Sequence, residues 1–121
     1  MRPSDFKLER FFARYEFETP NLLCCSDCES MSVRELLHMQ AGSQEEFLDL
    51  WLGYTKSQGN PVLREEIASM YRTIAPGQVL VHSGAEEAIH NMSAALLQPG
   101  DHVIVQMPSY QSLSELPRSL G

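Results

Sequence analysis

Val79-Leu80-Val81-His82-Ser83-Gly84-Ala85-Glu86-Glu87-Ala88-Ile89, then nine more residues of helical pattern, then Pro99-Gly100-Asp101 and Val103-Ile104-Val105-Gln106-Met107-Pro108-Ser109-Tyr110: no other stretch of the chain says as much. It reads as strand, small-residue turn, helix, tight turn, strand, with an aromatic at the second strand's exit. The runs Val79 to Val81 and Val103 to Val105 are apolar, β-branched and non-alternating, which suits parallel strands covered on both faces. Between them Ala85, Ala88, Ile89, Met92 and Leu96 recur at the spacing of one apolar helical stripe. Ser83-Gly84-Ala85 therefore sits where a strand ends and a helix begins. Free backbone N–H groups and the helix dipole favour an anion there, and glycine lets the backbone come close to it. The expected chemistry is phosphate binding.

Working outward, Tyr54, Gly59-Asn60-Pro61 and Leu63-Arg64 precede this stretch in a loop and helix start. Together with Ser83-Gly84-Ala85, Ala88-Ile89, Pro99-Gly100-Asp101 and Pro108-Ser109-Tyr110, they resemble the opening of the large domain of class I/II pyridoxal-phosphate aminotransferases of fold type I. The pieces stand in the family's order over about half the chain. The resemblance implies an α/β fold: an N-terminal helical arm over residues 1–53, then the first β-α-β elements of a large domain, incomplete, over 54–121. It implies pyridoxal 5'-phosphate as cofactor, amino acid and 2-oxo acid substrates, and a homodimer.

The resemblance also assigns residues. The turn Ser83, Gly84 and Ala85 holds the cofactor phosphate through backbone N–H groups and a hydroxyl. Tyr110 stacks on the cofactor ring, at the end of a strand where open α/β sheets bind ligands. Tyr54 reaches across the dimer to the phosphate of the neighbouring subunit's cofactor. Glu86 and Glu87 follow the turn, where their charge suits the dipole but repels a phosphate, so both are expected to point away.

Such an enzyme needs a lysine amine to carry the cofactor and move a proton. No lysine follows Lys56, and Lys7 is the only other one. Lys56 lies upstream of the turn in a polar loop and reads as a surface residue. The 121 residues are thus expected to be the N-terminal piece of an aminotransferase, without catalytic residues of its own. A lyase or cyclase of the same fold is the alternative within this chemistry; a non-catalytic dimerisation or regulatory module is the alternative outside it. The strands matching 79–81 and 103–105 are separated in the family by strands from later sequence, whereas the general rule makes sequential strands neighbours.

Nine Lys plus Arg against 16 Asp plus Glu give a net charge of -7, which argues against nucleic acid or an anionic membrane surface as partner. No apolar run approaches a membrane span, and the opening through Asp5 lacks a signal peptide's apolar stretch. The expected compartment is the cytoplasm. Cys25-x-x-Cys28 has the spacing of half a zinc site, but no second pair matches it, so Cys24, Cys25 and Cys28 read as reduced thiols without metal.

Elsewhere, Ser4 is expected to cap a helix with Leu8, Phe11, Phe12 and Tyr15 on one face, ended by Thr19-Pro20-Asn21. Leu22 to Cys24 reads as a short strand and Ser26 to Glu29 as a turn. Ser32-x-x-Glu35 and Ser43-x-x-Glu46 are capping-box patterns. Asn60 and Pro61 start a helix with Leu63, Ile67 and Met70 inward. Pro117 is expected to bend or end the last helix near Leu116.

Overall fold

In a computed structural model, residues 4–121 are described; residues 1–3, part of the opening segment discussed above, lie outside them. Six α-helices follow one another: α1 (Lys7–Tyr15), α2 (Val33–His38), α3 (Ser43–Leu48), α4 (Pro61–Ser69), α5 (Ala85–Leu96) and α6 (Ser112–Leu120), with a 3-10 turn at Pro76–Gln78 before α5. α5 packs on α6, α4 on the 3-10 turn, and α2 on α3.

Among the described residues there is no β-strand, so the expected β-α-β unit is present only as its helix and its two connections. Residues 79–82 and 101–106 are not helical, and no ladder joins them. Their backbone groups find other partners. The Val81 N–H donates to the Gln58 carbonyl at 3.0 Å, and the Val79 carbonyl accepts from Arg64 Nε at 3.0 Å. The same guanidinium reaches the Pro76 carbonyl at 2.6 Å and Gln58 Oε1 at 3.1 Å. Arg64 thus ties α4 to the segment leading into the turn at Ser83. Gly59, at φ +109°, lies so close to this segment that a Cβ there would sit 2.5 Å from a Val81 methyl.

Several local expectations hold and others are corrected. Ser32 and Glu35 form a reciprocal capping box, and Asn60 Oδ1 accepts from the Val62 N–H ahead of Pro61. Ser43 does not cap α3: Gly42 is the N-cap, and the Ser43 hydroxyl donates to the Leu37 and Gln40 carbonyls, closing the α2–α3 loop instead. Ser4 does not cap α1 either; it donates to Glu115 on α6. α1 ends at Tyr15, before Thr19. Leu23 and Cys24 form a turn in place of the expected strand, and residues 25–30 carry none of the expected turn. α4 buries Ala68 rather than Leu63 or Met70, both exposed. α6 runs through Pro117 to Leu120, so the early end near Leu116 does not occur. The missing Pro117 N–H leaves unfilled only the Leu113 carbonyl in a helix of two and a half turns.

Ala68 is the one hydrophobic side chain among the described residues that is buried, while Ile104 is fully exposed. The accessible surface is 10918 Å², against roughly 6,600 Å² for a folded monomer of this mass. With so little apolar burial to offset chain entropy, the isolated chain is predicted to give a helical far-UV circular dichroism spectrum without a cooperative thermal transition. A sharp two-state melt with protected amides at 79–81 and 103–105 would contradict this.

Candidate functional site

α5 begins at the turn expected to hold an anion. Gly84 is its N-cap, at φ 109° and ψ 162°, a backbone conformation that only glycine adopts freely. A Cβ on Gly84 would meet nothing within 4 Å, so the space in front of the turn is open. The first-turn amides of α5 have no helical acceptor, as at every helix start. One neighbouring donor is already engaged: the Ser83 N–H donates to Glu87 Oε2. The expectation that Glu87 points away is therefore corrected. The Glu87 carboxylate, four residues on and about one helical turn away, folds back to satisfy that amide.

Glu86 takes the other direction. Its Oε1 accepts from the Ser112 hydroxyl at 2.7 Å, and Ser112 is buried at 2% exposure. This bond joins the first turn of α5 to the first residue of α6. Tyr110 stands two residues before Ser112, so the same bond ties the start of α5 to the segment that follows Tyr110. Its phenol is held above the ordinary tyrosine range by loss of solvation, then by the charges of Glu86 and Glu9 and a hydrogen bond with Glu9.

Tyr110 is 38% exposed, and one partner on its ring is Phe6, with centroids 5.2 Å apart and planes tilted by 59°. The arm before α1 is pinned beside it. The Lys7 N–H donates to Gln111 Oε1 at 3.0 Å, and Gln111 Nε2 donates to the Asp5 carbonyl at 2.9 Å. Sequence reasoning missed this packing of the arm on Tyr110, as it missed the contacts that Arg64 and Glu87 make. The signal for Glu87 was available in the i, i+4 spacing from Ser83.

Tyr54 stays apart from this cluster. It is fully exposed in the loop before α4, and within this chain nothing described connects it to the turn. One cavity, of about 700 Å³, lies between Ser4 and Lys7, residues 101–109 and α6, and neither Tyr110 nor the turn lines it. A second, of about 440 Å³, is an apolar trough lined by Ile89, Met92, Leu96, Val103, Val105 and Leu113. Cys25 lies within 4.8 Å of carboxylate oxygens of Glu16 and Asp27. Loss of solvation, then Asp27, Cys24 and Glu16, raise its thiol, which disfavours the thiolate that metals and electrophiles need.

The family profile for aminotransferase class I and II matches residues 27–121, the turn, α5, Tyr110 and α6 included. The chain belongs to this family. An aspartate/prephenate aminotransferase of Thermus thermophilus is 36% identical over 73 residues, covering 56% of this chain and 19% of its own length. An aspartate aminotransferase of Thermotoga maritima is 44% identical over 64 residues, covering 49% of this chain and 17% of its own. An Escherichia coli protein named as an uncharacterized HTH-type transcriptional regulator, YdcR, is 40% identical over 65 residues, covering 50% of this chain and 14% of its own. The match thus spans less than a fifth of the length of each of these relatives. No solved structure matches it significantly. No helix among the described residues is long and apolar enough to cross a membrane.

The Tyr110 environment gives a direct check. In a spectrophotometric titration at the phenolate band, one tyrosine should ionise above the others, and Glu86→Gln or Glu9→Gln should move it down toward the ordinary range, because each removes a negative charge that opposes phenolate. An unchanged titration in both variants would remove Tyr110 from the neighbourhood of these carboxylates.

Proposed function

We propose that this chain supplies the cofactor-phosphate turn and the ring-stacking aromatic of a pyridoxal-phosphate-dependent aminotransferase acting on an amino acid and a 2-oxo acid. The observation that supports it best is the open, left-handed turn at Gly84, which already presents an amide to a carboxylate and is coupled to Tyr110 through Glu86 and Ser112. A turn that satisfies one anion with a backbone N–H, and leaves unhindered space in front of its glycine, fits a phosphate ester. When bound, the cofactor supplies an electron sink for bond breaking at the substrate's α-carbon. Ser83, Gly84 and Ala85 would anchor its phosphate, and Tyr110 would fix the plane of its ring and exclude water. Phe6 now leans on that ring and would have to yield some of this contact.

Tyr54, exposed on its loop, is free to reach the cofactor phosphate of a second subunit in a homodimer. In this reading residues 1–53 form the arm and helical segment, residues 54–121 open the cofactor-binding domain, and the protein works in the cytoplasm. The names of the relatives put aspartate and prephenate forward as the kind of partner compound. Lyase or cyclase chemistry on the same fold would use the same turn. The likeness to YdcR favours a second reading, a non-catalytic regulatory module that keeps the turn.

Equilibrium dialysis against pyridoxal 5'-phosphate tests the assignment. Tyr110→Phe should weaken retention by at most about tenfold, the loss of one hydrogen bond of about 0.5–1.5 kcal/mol, and Tyr110→Ala should weaken it more. Equal loss in both variants would contradict stacking. The chain alone should show no transaminase turnover, since its two lysines, Lys7 and Lys56, both lie upstream of the turn; turnover that survives replacing both with alanine would refute the reading.

A further inference from the structure

We propose that Glu87 is an internal occupant of the phosphate turn, a carboxylate that holds the Ser83 amide until a phosphate ester displaces it. The proposal rests on the reading of Ser83 to Ala85 as the phosphate turn and adds how that site is kept when empty. Three observations carry it. The Glu87 carboxylate accepts from the Ser83 N–H, so an anion already lodges on the turn. Glu87 is exposed, so its side chain has solvent to swing into. The space in front of Gly84 is open, so an incoming phosphate meets charge, not bulk.

The two acidic residues of this turn are not equivalent. Glu86 is anchored through Ser112, whereas Glu87 has the Ser83 amide as its described partner. His82, the ionisable side chain on the other side of Ser83, contacts Asn91 at 3.4 Å. No cation among the described ion pairs or hydrogen bonds offsets the Glu87 charge. A phosphate ester carries close to two negative charges at neutral pH, and two anions within a few ångströms repel. Binding is therefore an exchange of one anion for another on the same amide. The contact spans four residues, so it forms wherever the first turn of α5 does, without help from distant packing.

Two consequences distinguish this role from a plain helix cap. Removing the charge while keeping an acceptor, as in Glu87→Gln, should strengthen binding of a phosphate ester by about tenfold at low salt. The gain should shrink as salt screens it. A carboxylate that stayed clear of the bound ligand would give no gain from Glu87→Gln, and one that repelled it without holding the Ser83 amide would leave that amide unshifted in Glu87→Ala.

The test measures affinity calorimetrically for the 121-residue chain and its Glu87→Gln variant. The ligand is pyridoxine 5'-phosphate, which lacks the aldehyde and cannot attach to Lys7 or Lys56, with phosphate-free pyridoxine as control. Separately, the Ser83 amide proton is followed by NMR without ligand, and Glu87→Ala should shift it upfield as the bond is lost. A gain of about tenfold for the phosphate ester, absent for pyridoxine and reduced in about 0.5 M salt, together with that upfield shift, supports the exchange. Equal affinity of the parent and Glu87→Gln, with pyridoxine still bound far more weakly, overturns the role of Glu87 and leaves the turn as a phosphate site. No preference for the phosphate ester in either protein overturns the turn itself, and the role of Glu87 with it.

Discussion

Every backbone N–H and C=O taken out of water must be satisfied, and in this chain that accounting decides what the extended segments do. Residues 79–82 lead into the turn, yet no strand lies beside them to form a ladder. Arg64 and the Gln58 carbonyl take their place, binding the Val79 carbonyl and the Val81 amide. The segment is thereby held extended by a side chain and a loop, with Gly59 close enough to Val81 that no other residue fits without strain. Among the described residues nothing gives 103–105 such support, and Ile104 is fully exposed. The apolar trough between α5, this segment and α6 follows directly.

The same accounting governs the site. A helix start offers amides and a positive dipole end, and the chain answers with its own acids. Glu87 serves the Ser83 amide, while Glu86 turns to Ser112 and joins α5 to α6. That second bond also places a carboxylate near Tyr110, whose phenol is raised by loss of solvation first and then by the charge of Glu86. Turn and aromatic are thus linked through a shared acidic neighbour as well as through sequence.

Legibility in the sequence followed the range of the interactions. Signals that act within one turn were readable: Ser32 with Glu35, Asn60 with Pro61, the helix of α5, and Gly100 in the Pro99-Gly100 turn; the apolar stripe of α5 found no sheet to cover it, and Met92 and Leu96 stay exposed. The strands at 79–81 and 103–105 were legible as composition but not as structure, because a strand exists only with a partner and periodicity cannot supply one. Ser43 misled because its capping pattern competes with carbonyls left free at the end of α2, which it binds instead. The Phe6 contact with Tyr110 spans most of the chain, and no local pattern encodes it. Family membership was legible because it rests on the order of several short motifs, and the matched region, residues 27–121, contains them all.

The central claim is that the turn at the start of α5 and the ring of Tyr110 form one binding site for a phosphorylated pyridine. A map of amide and aromatic-ring chemical shifts, recorded while pyridoxine 5'-phosphate is added to the chain, tests it most directly. The account predicts that the amides of Ser83, Gly84 and Ala85 and the Tyr110 ring move together with a single dissociation constant. Shifts confined to other residues, or a turn and a ring that respond with different constants, would contradict it.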